Sequence, residues 1–113
     1  MIEGYSFGRM TIQGRMYTDD VLICNEMLVS PWWRHKGHVV QVRDLDAVLG
    51  HTPKVIILGQ GQPGQMKASR ELQDHLQALG IELIQKPTQE AVDIFNRHLS
   101  QGERVCGGFH LTC

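Results

Sequence analysis

The chain has 113 residues, 42% of them hydrophobic and 20% charged, and its 11 basic and 12 acidic side chains leave a formal charge of −1. That length supports one domain with its own core, and the near-average composition excludes a disordered chain, a coiled coil or a low-complexity tail. The balanced, interspersed charge gives no footprint for nucleic acid or an anionic membrane, and no apolar run approaches the roughly 20 residues that span a bilayer.

The start, Met1-Ile2-Glu3, lacks the basic and apolar regions of a secretory signal, so a cytosolic location is expected. Phe7 to Ile12 and Tyr17 to Ile23 predict a hairpin about Gln13-Gly14-Arg15. Met27 to Trp33 extends that sheet as an edge, because Pro31 has no donor for a ladder. His38 to Val42 alternates weakly, and Asp44 is the expected N-cap of a short helix through Leu49, closed by Gly50.

From Lys54 the pattern sharpens. Val55-Ile56-Ile57-Leu58 is a continuous apolar run between Pro53 and Gly59, as in a central strand covered on both faces. Leu72, Leu76 and Leu79 recur at helical spacing between Ser69, an N-cap, and Gly80, a left-handed stop. Ile81 to Ile84 predicts a strand. A second helix follows from Pro87, with Thr88 as its cap, Val92, Phe95 and Leu99 on one face, and Gly102 as its stop. Val105 to Leu111 predicts the closing strand, so strands and helices alternate from residue 54 to residue 111.

Gly59-Gln60-Gly61-Gln62-Pro63-Gly64 matches G-x-G-x-x-G between a strand and a helix, the context of a dinucleotide fingerprint. Three details weigh against that reading. Gly64 follows a proline and precedes the helix by several residues. The next strand ends in Gln85-Lys86 rather than in an acidic ribose partner. Too little chain follows for two mononucleotide halves. The alternative is a turn set by backbone geometry, with room for a small anion.

Cys24, Cys106 and Cys113 are too few and too scattered for a disulfide framework, so free thiols are expected. Cys106 and His110 lie about 13 Å apart on an extended strand, which opposes a shared metal, and no C-x-x-C or H-E-x-x-H is present. No cofactor is expected. Asn96 sits beside the apolar stripe of its helix, where an amide either bonds a neighbouring strand or faces a cleft. Pro31-Trp32-Trp33-Arg34-His35-Lys36-Gly37-His38 joins aromatics to cations; either it contacts a ligand or partner, or one Trp fills the core beneath solvated charges.

The run Gly107-Gly108-Phe109-His110-Leu111-Thr112-Cys113, preceded by Thr88-Gln89-Glu90-Ala91-Val92, Phe95-Asn96 and Gly102-Glu103-Arg104-Val105, resembles the Mth-domain family, particularly its adipogenesis-associated branch. Gly59-Gln60-Gly61 and Trp32-Trp33-Arg34 match as well. Phe95 departs from the Tyr common in the family, and Glu103 from a segment often richer in Arg. The resemblance implies a three-layer α/β domain over residues 1–113, with a mixed central sheet whose last strand runs against its neighbours and an N-terminal β hairpin layer. It attaches no secure catalytic activity, and a distant relative is a mitochondrial assembly factor for respiratory complex I.

The expected function is a non-enzymatic binding or assembly module with a protein partner, working as monomer or homodimer. The alternative is a small-molecule or anion site, with or without catalysis, at a cleft formed by Trp33, Arg34, Gly59, Gln60, Gly61, Asn96 and His110. That alternative requires those residues to surround one pocket.

Overall fold

A computed structural model describes residues 1–113. Strands β1 (Ile2–Ser6), β2 (Arg9–Ile12) and β3 (Arg15–Tyr17) form an antiparallel sheet in that order. Gln13 and Gly14, both at positive φ, close the β2–β3 hairpin, since that backbone hand matches the twist of the strands it joins. The turn lies where the sequence predicts it, but the second arm stops at Tyr17. Val21 to Cys24 is buried at every residue, and such a strand belongs in a sheet covered on both faces.

That strand, β4 (Val21–Cys24), turns into β5 (Met27–Val29), which is an edge as expected but of a different sheet. After β6 (Val39–Val40), a 3-10 turn over Val42–Leu45 leads into α1 (Asp46–Leu49). The N-cap here is Gln41 rather than Asp44. The Asp44 carboxylate instead accepts the Gln41 N–H at 2.8 Å from the third position of the turn, completing a capping box.

The C-terminal half runs β7 (Val55–Gly59), β8 (Lys67–Ala68), α2 (Arg70–Ala78), β9 (Glu82–Lys86), α3 (Thr88–Ser100) and β10 (Val105–Phe109). Only β8, a two-residue strand parallel to β6, is added to the predicted alternation. Ser69 caps α2, its hydroxyl accepting the Leu72 N–H at 3.0 Å. Pro87 occupies the N-cap of α3, and Thr88 is its first helical residue, which frees the Thr88 side chain for another use.

The central sheet has the order β5-β4-β10-β7-β9. β10 runs antiparallel to β4 but parallel to β7, so the last strand opposes only one neighbour. Side chains alternate between the two faces with period two. Val21, Ile23, Val55, Ile57, Val105 and Phe109 pack with Phe95 of α3 and Ile2, Met10 and Ile12 of the small sheet. Leu22, Ile56 and Leu58 pack on the opposite face with Leu72 and Leu76 of α2, Val48 and Trp32. These are the three layers: α2 and the 38–49 segment, the five-stranded sheet, and α3 with the three-stranded sheet.

The free-thiol expectation is corrected for two cysteines. Cys24 and Cys106 are directly opposed across β4 and β10 and form a disulfide, with Cα atoms 4.3 Å apart. Strand order, which residue spacing does not reveal, brings them together. Cys113 is free and exposed. No helix is long and apolar enough to cross a membrane.

Candidate functional site

At the end of β10 the chain passes from the sheet to the surface, and its polar groups gather there. Asp20, just before β4, accepts through Oδ1 from the Leu111 N–H at 2.8 Å. Its Oδ2 takes Arg34 Nη2 and His110 Nδ1, each at 2.8 Å. Arg34 also donates from Nε to the Gly37 carbonyl at 2.9 Å, and its guanidinium lies 4.6 Å from the Trp32 ring centre. The guanidinium is therefore held by a carboxylate, a carbonyl and an aromatic face while only 4% exposed.

Burial alone would raise the Asp20 carboxyl pKa. The hydrogen bonds from His110, the Leu111 amide and Arg34 outweigh it and hold the pKa below the usual carboxylate range. Tyr5, whose hydroxyl donates to the Leu111 carbonyl at 2.8 Å, is pushed the other way, first by burial and then by the Asp20 charge.

With Nδ1 engaged by Asp20, the other ring nitrogen of His110 is Nε2. That atom is buried and has no hydrogen-bond partner. The His38 ring stands edge-on to His110 at 5.2 Å between centres. This is a carboxylate–imidazole pair whose second nitrogen is turned away from solvent.

An open depression of about 480 Å³ lies over this cluster, lined by Asp20, Trp33, Arg34, His110 and Thr112 among others. Trp33, Arg34 and His110 line it, whereas Gly59, Gln60, Gly61 and Asn96 do not, so the seven residues of the cleft reading do not surround one pocket. The glycine turn approaches from behind. Gly61 has φ of +93°, and a Cβ there would collide with the Thr112 carbonyl and the His110 ring. The amides of Gln60, Gly61 and Gln62 are bonded to the Lys86 carbonyl, the Thr88 hydroxyl and the Thr112 carbonyl. Gly59 faces Phe109 and Thr88. No amide of the turn from Gln60 to Gln62 is left to hold a phosphate, and α2 begins six residues beyond Gly64.

Asn96 lies elsewhere. Its Oδ1 accepts the Ile2 N–H at 3.0 Å and its Nδ2 donates to the Ile2 carbonyl at 2.8 Å. It clamps β1 to α3 and lines no part of the depression.

Two residues that organise the site are absent from the sequence-derived set. Asp20 sits in an ordinary acidic segment, Thr18-Asp19-Asp20, whose composition does not distinguish a solvated carboxylate from one held by hydrogen bonds. Thr88 has the composition of a helix cap. Its hydroxyl in fact donates to the His110 carbonyl at 2.6 Å while accepting the Gly61 N–H at 2.8 Å, so it ties the turn to the C-terminal segment.

Fold and site together define a three-layer α/β domain in which a half-buried carboxylate locks the end of the central sheet through a buried guanidinium and a buried imidazole. The family model described as "Protein of unknown function (DUF498/DUF598)" matches residues 2–110, and the chain belongs to that family. Among solved structures, a protein named MT938 is 26% identical, with 100% of this chain and 98% of that one aligned and a TM-score of 0.83. The conserved hypothetical protein PH1505 from Pyrococcus horikoshii is similar in fold at 23% identity, covering 100% and 99% of the two chains, with a TM-score of 0.83. A Bordetella pertussis protein described as a Mth938-like domain aligns at 17% identity over 97% of this chain and 84% of its own, with a TM-score of 0.70.

Proposed function

We propose that this domain is a non-enzymatic binding module that presents Trp33 to a protein partner from a fixed loop. The observation that carries this reading is the alternation of burial along Trp32-Trp33-Arg34. Trp32 is 4% exposed and Arg34 8%, while Trp33 between them is 70% exposed. The Trp32 indole donates to the Asp44 carbonyl at 3.0 Å, Arg34 is held as described, and the Trp33 ring rests against His35 at 4.6 Å. A large aromatic held on an immobilised loop loses little conformational freedom on binding, and Trp is prominent among the residues that dominate interface energies. The solvent-shielded Nε2 of His110 favours a structural over a catalytic role for the buried cluster.

The C-terminal run and the Trp-Trp-Arg element support placing the chain near the adipogenesis-associated branch of its family. The test is affinity capture with quantitative mass spectrometry, comparing the native chain with Trp33→Ala. A defined set of captured proteins should be lost with the variant, and a partner from that set should bind it at least about thirtyfold more weakly. Identical captures from both chains, or no reproducible capture, would refute the proposal.

A second reading has its own support: the depression places Trp33, Arg34 and His110 over the Asp20 carboxylate, a combination suited to a small planar ligand. Titration with candidate metabolites, followed by the fluorescence of Trp33, addresses it.

A further inference from the structure

We propose that the free edge of β9 receives a second copy of this chain, antiparallel, about a two-fold axis through Ile84. β9 is the outer strand of the central sheet and pairs only with β7. The groups facing outward follow from the hydrogen bonds at its two ends. The Glu82 N–H donates to the Lys54 carbonyl at 3.0 Å, and the Lys86 carbonyl accepts the Gln60 N–H at 2.8 Å. Both contacts are on the β7 side. Backbone N–H and C=O of one strand residue point the same way and alternate along the strand. Glu82, Ile84 and Lys86 therefore address β7, and Leu83 and Gln85 present their backbone groups to the open edge.

The strand reads Glu-Leu-Ile-Gln-Lys. Laid against itself in antiparallel register centred on Ile84, it sets Leu83 opposite Gln85 of the second copy, twice. These are the residues with outward donors and acceptors, so each pair exchanges both hydrogen bonds of a ladder. The same register sets Glu82 opposite Lys86 of the second copy at both ends, in the closely spaced pairs that carry no backbone bond. Opposite charges facing each other there attract, and like charges repel.

Alternatives are disfavoured by the same residues. A parallel copy would put Glu82 beside Glu82 and Lys86 beside Lys86. Charges on an edge strand ordinarily keep other strands away; here their order is self-complementary in one orientation. The other edge, β5, has three residues and no charge, so nothing in it specifies a register. Joined at β9, two copies would share one continuous ten-stranded sheet by strand addition.

Sedimentation equilibrium over a wide concentration range tests this, with far-UV circular dichroism as a control for folding. Glu82 and Lys86 are both exposed, and the one pair that Lys86 makes in its own chain, with Glu90 at 4.0 Å, is exposed as well, so their reversal changes the stability of the monomer by no more than about 1 kcal/mol. The native chain should dimerise. Glu82→Lys and Lys86→Glu should each weaken the dimer by roughly tenfold or more, because two attractive pairs become repulsive. The double exchange E82K/K86E should restore it. Amides of Leu83 and Gln85 should gain protection from hydrogen exchange as concentration rises. A native chain that stays monomeric at millimolar concentration overturns the proposal, as do single reversals that leave the dimer unchanged or a double exchange that fails to rescue it.

Discussion

The two carboxylate oxygens of Asp20 accept from a guanidinium, an imidazole and a backbone amide that come from two distant segments. Replacing Asp20 by Ala leaves the Arg34 guanidinium buried without its counter-charge, and such losses cost about 3–5 kcal/mol. Urea denaturation of Asp20→Ala should show that decrease. The depressed carboxyl pKa has a pH signature with a definite sign. Its stabilisation is fully present above the unfolded value of 3.8 and disappears as pH falls through the lower folded value. Acid titrations of stability should therefore drop below about pH 4, and Asp20→Asn should remove this part of the decline. At Gly108 an added Cβ would run into the Trp32 ring, so Gly108→Ala should lose about 1–3 kcal/mol of stability. Arg34 and His110 were legible in the sequence because both belong to recognisable runs. Asp20 was not, because its partners lie 14 and 90 residues away and no local period marks it.

At the scale of elements, the Asn96 clamp joins the first strand to the last helix through two hydrogen bonds on one residue. Asn96→Ala would strand the Ile2 N–H and C=O, at a cost of about 1–3 kcal/mol. Hydrogen exchange should quicken in β1 ahead of β7 or β10, since local opening follows the weakest attachments. The helices were legible because Leu72, Leu76, Val92 and Phe95 keep strict helical spacing and glycines end each run. The N-terminal half was less so. Val21 to Cys24 is uniformly apolar, and residue pattern alone does not say which of two sheets such a run joins. Thr88 looked like a cap for the same reason that it works as a bridge: a hydroxyl at a helix start both donates and accepts.

For the whole molecule, the order β5-β4-β10-β7-β9 is the feature least accessible to sequence. Local patterns identify strands, but the insertion of β10 between β4 and β7 rests on contacts between residues about 50 and 80 positions apart. The Cys24–Cys106 bridge and the Asp20 cluster both follow from that insertion, and so no local pattern marks either. The same order governs events on the ribosome. As the chain emerges, β4 and β7 leave the exit tunnel early, each with an open side where β10 will lie, and the sheet has no middle until Val105 to Phe109 are free. Long-range pairing of this kind is slow to form and leaves apolar surface open while it waits. A message truncated before codon 105 would thus yield a chain with all three helices and most strands but no closed core, a ready substrate for chaperones and proteases.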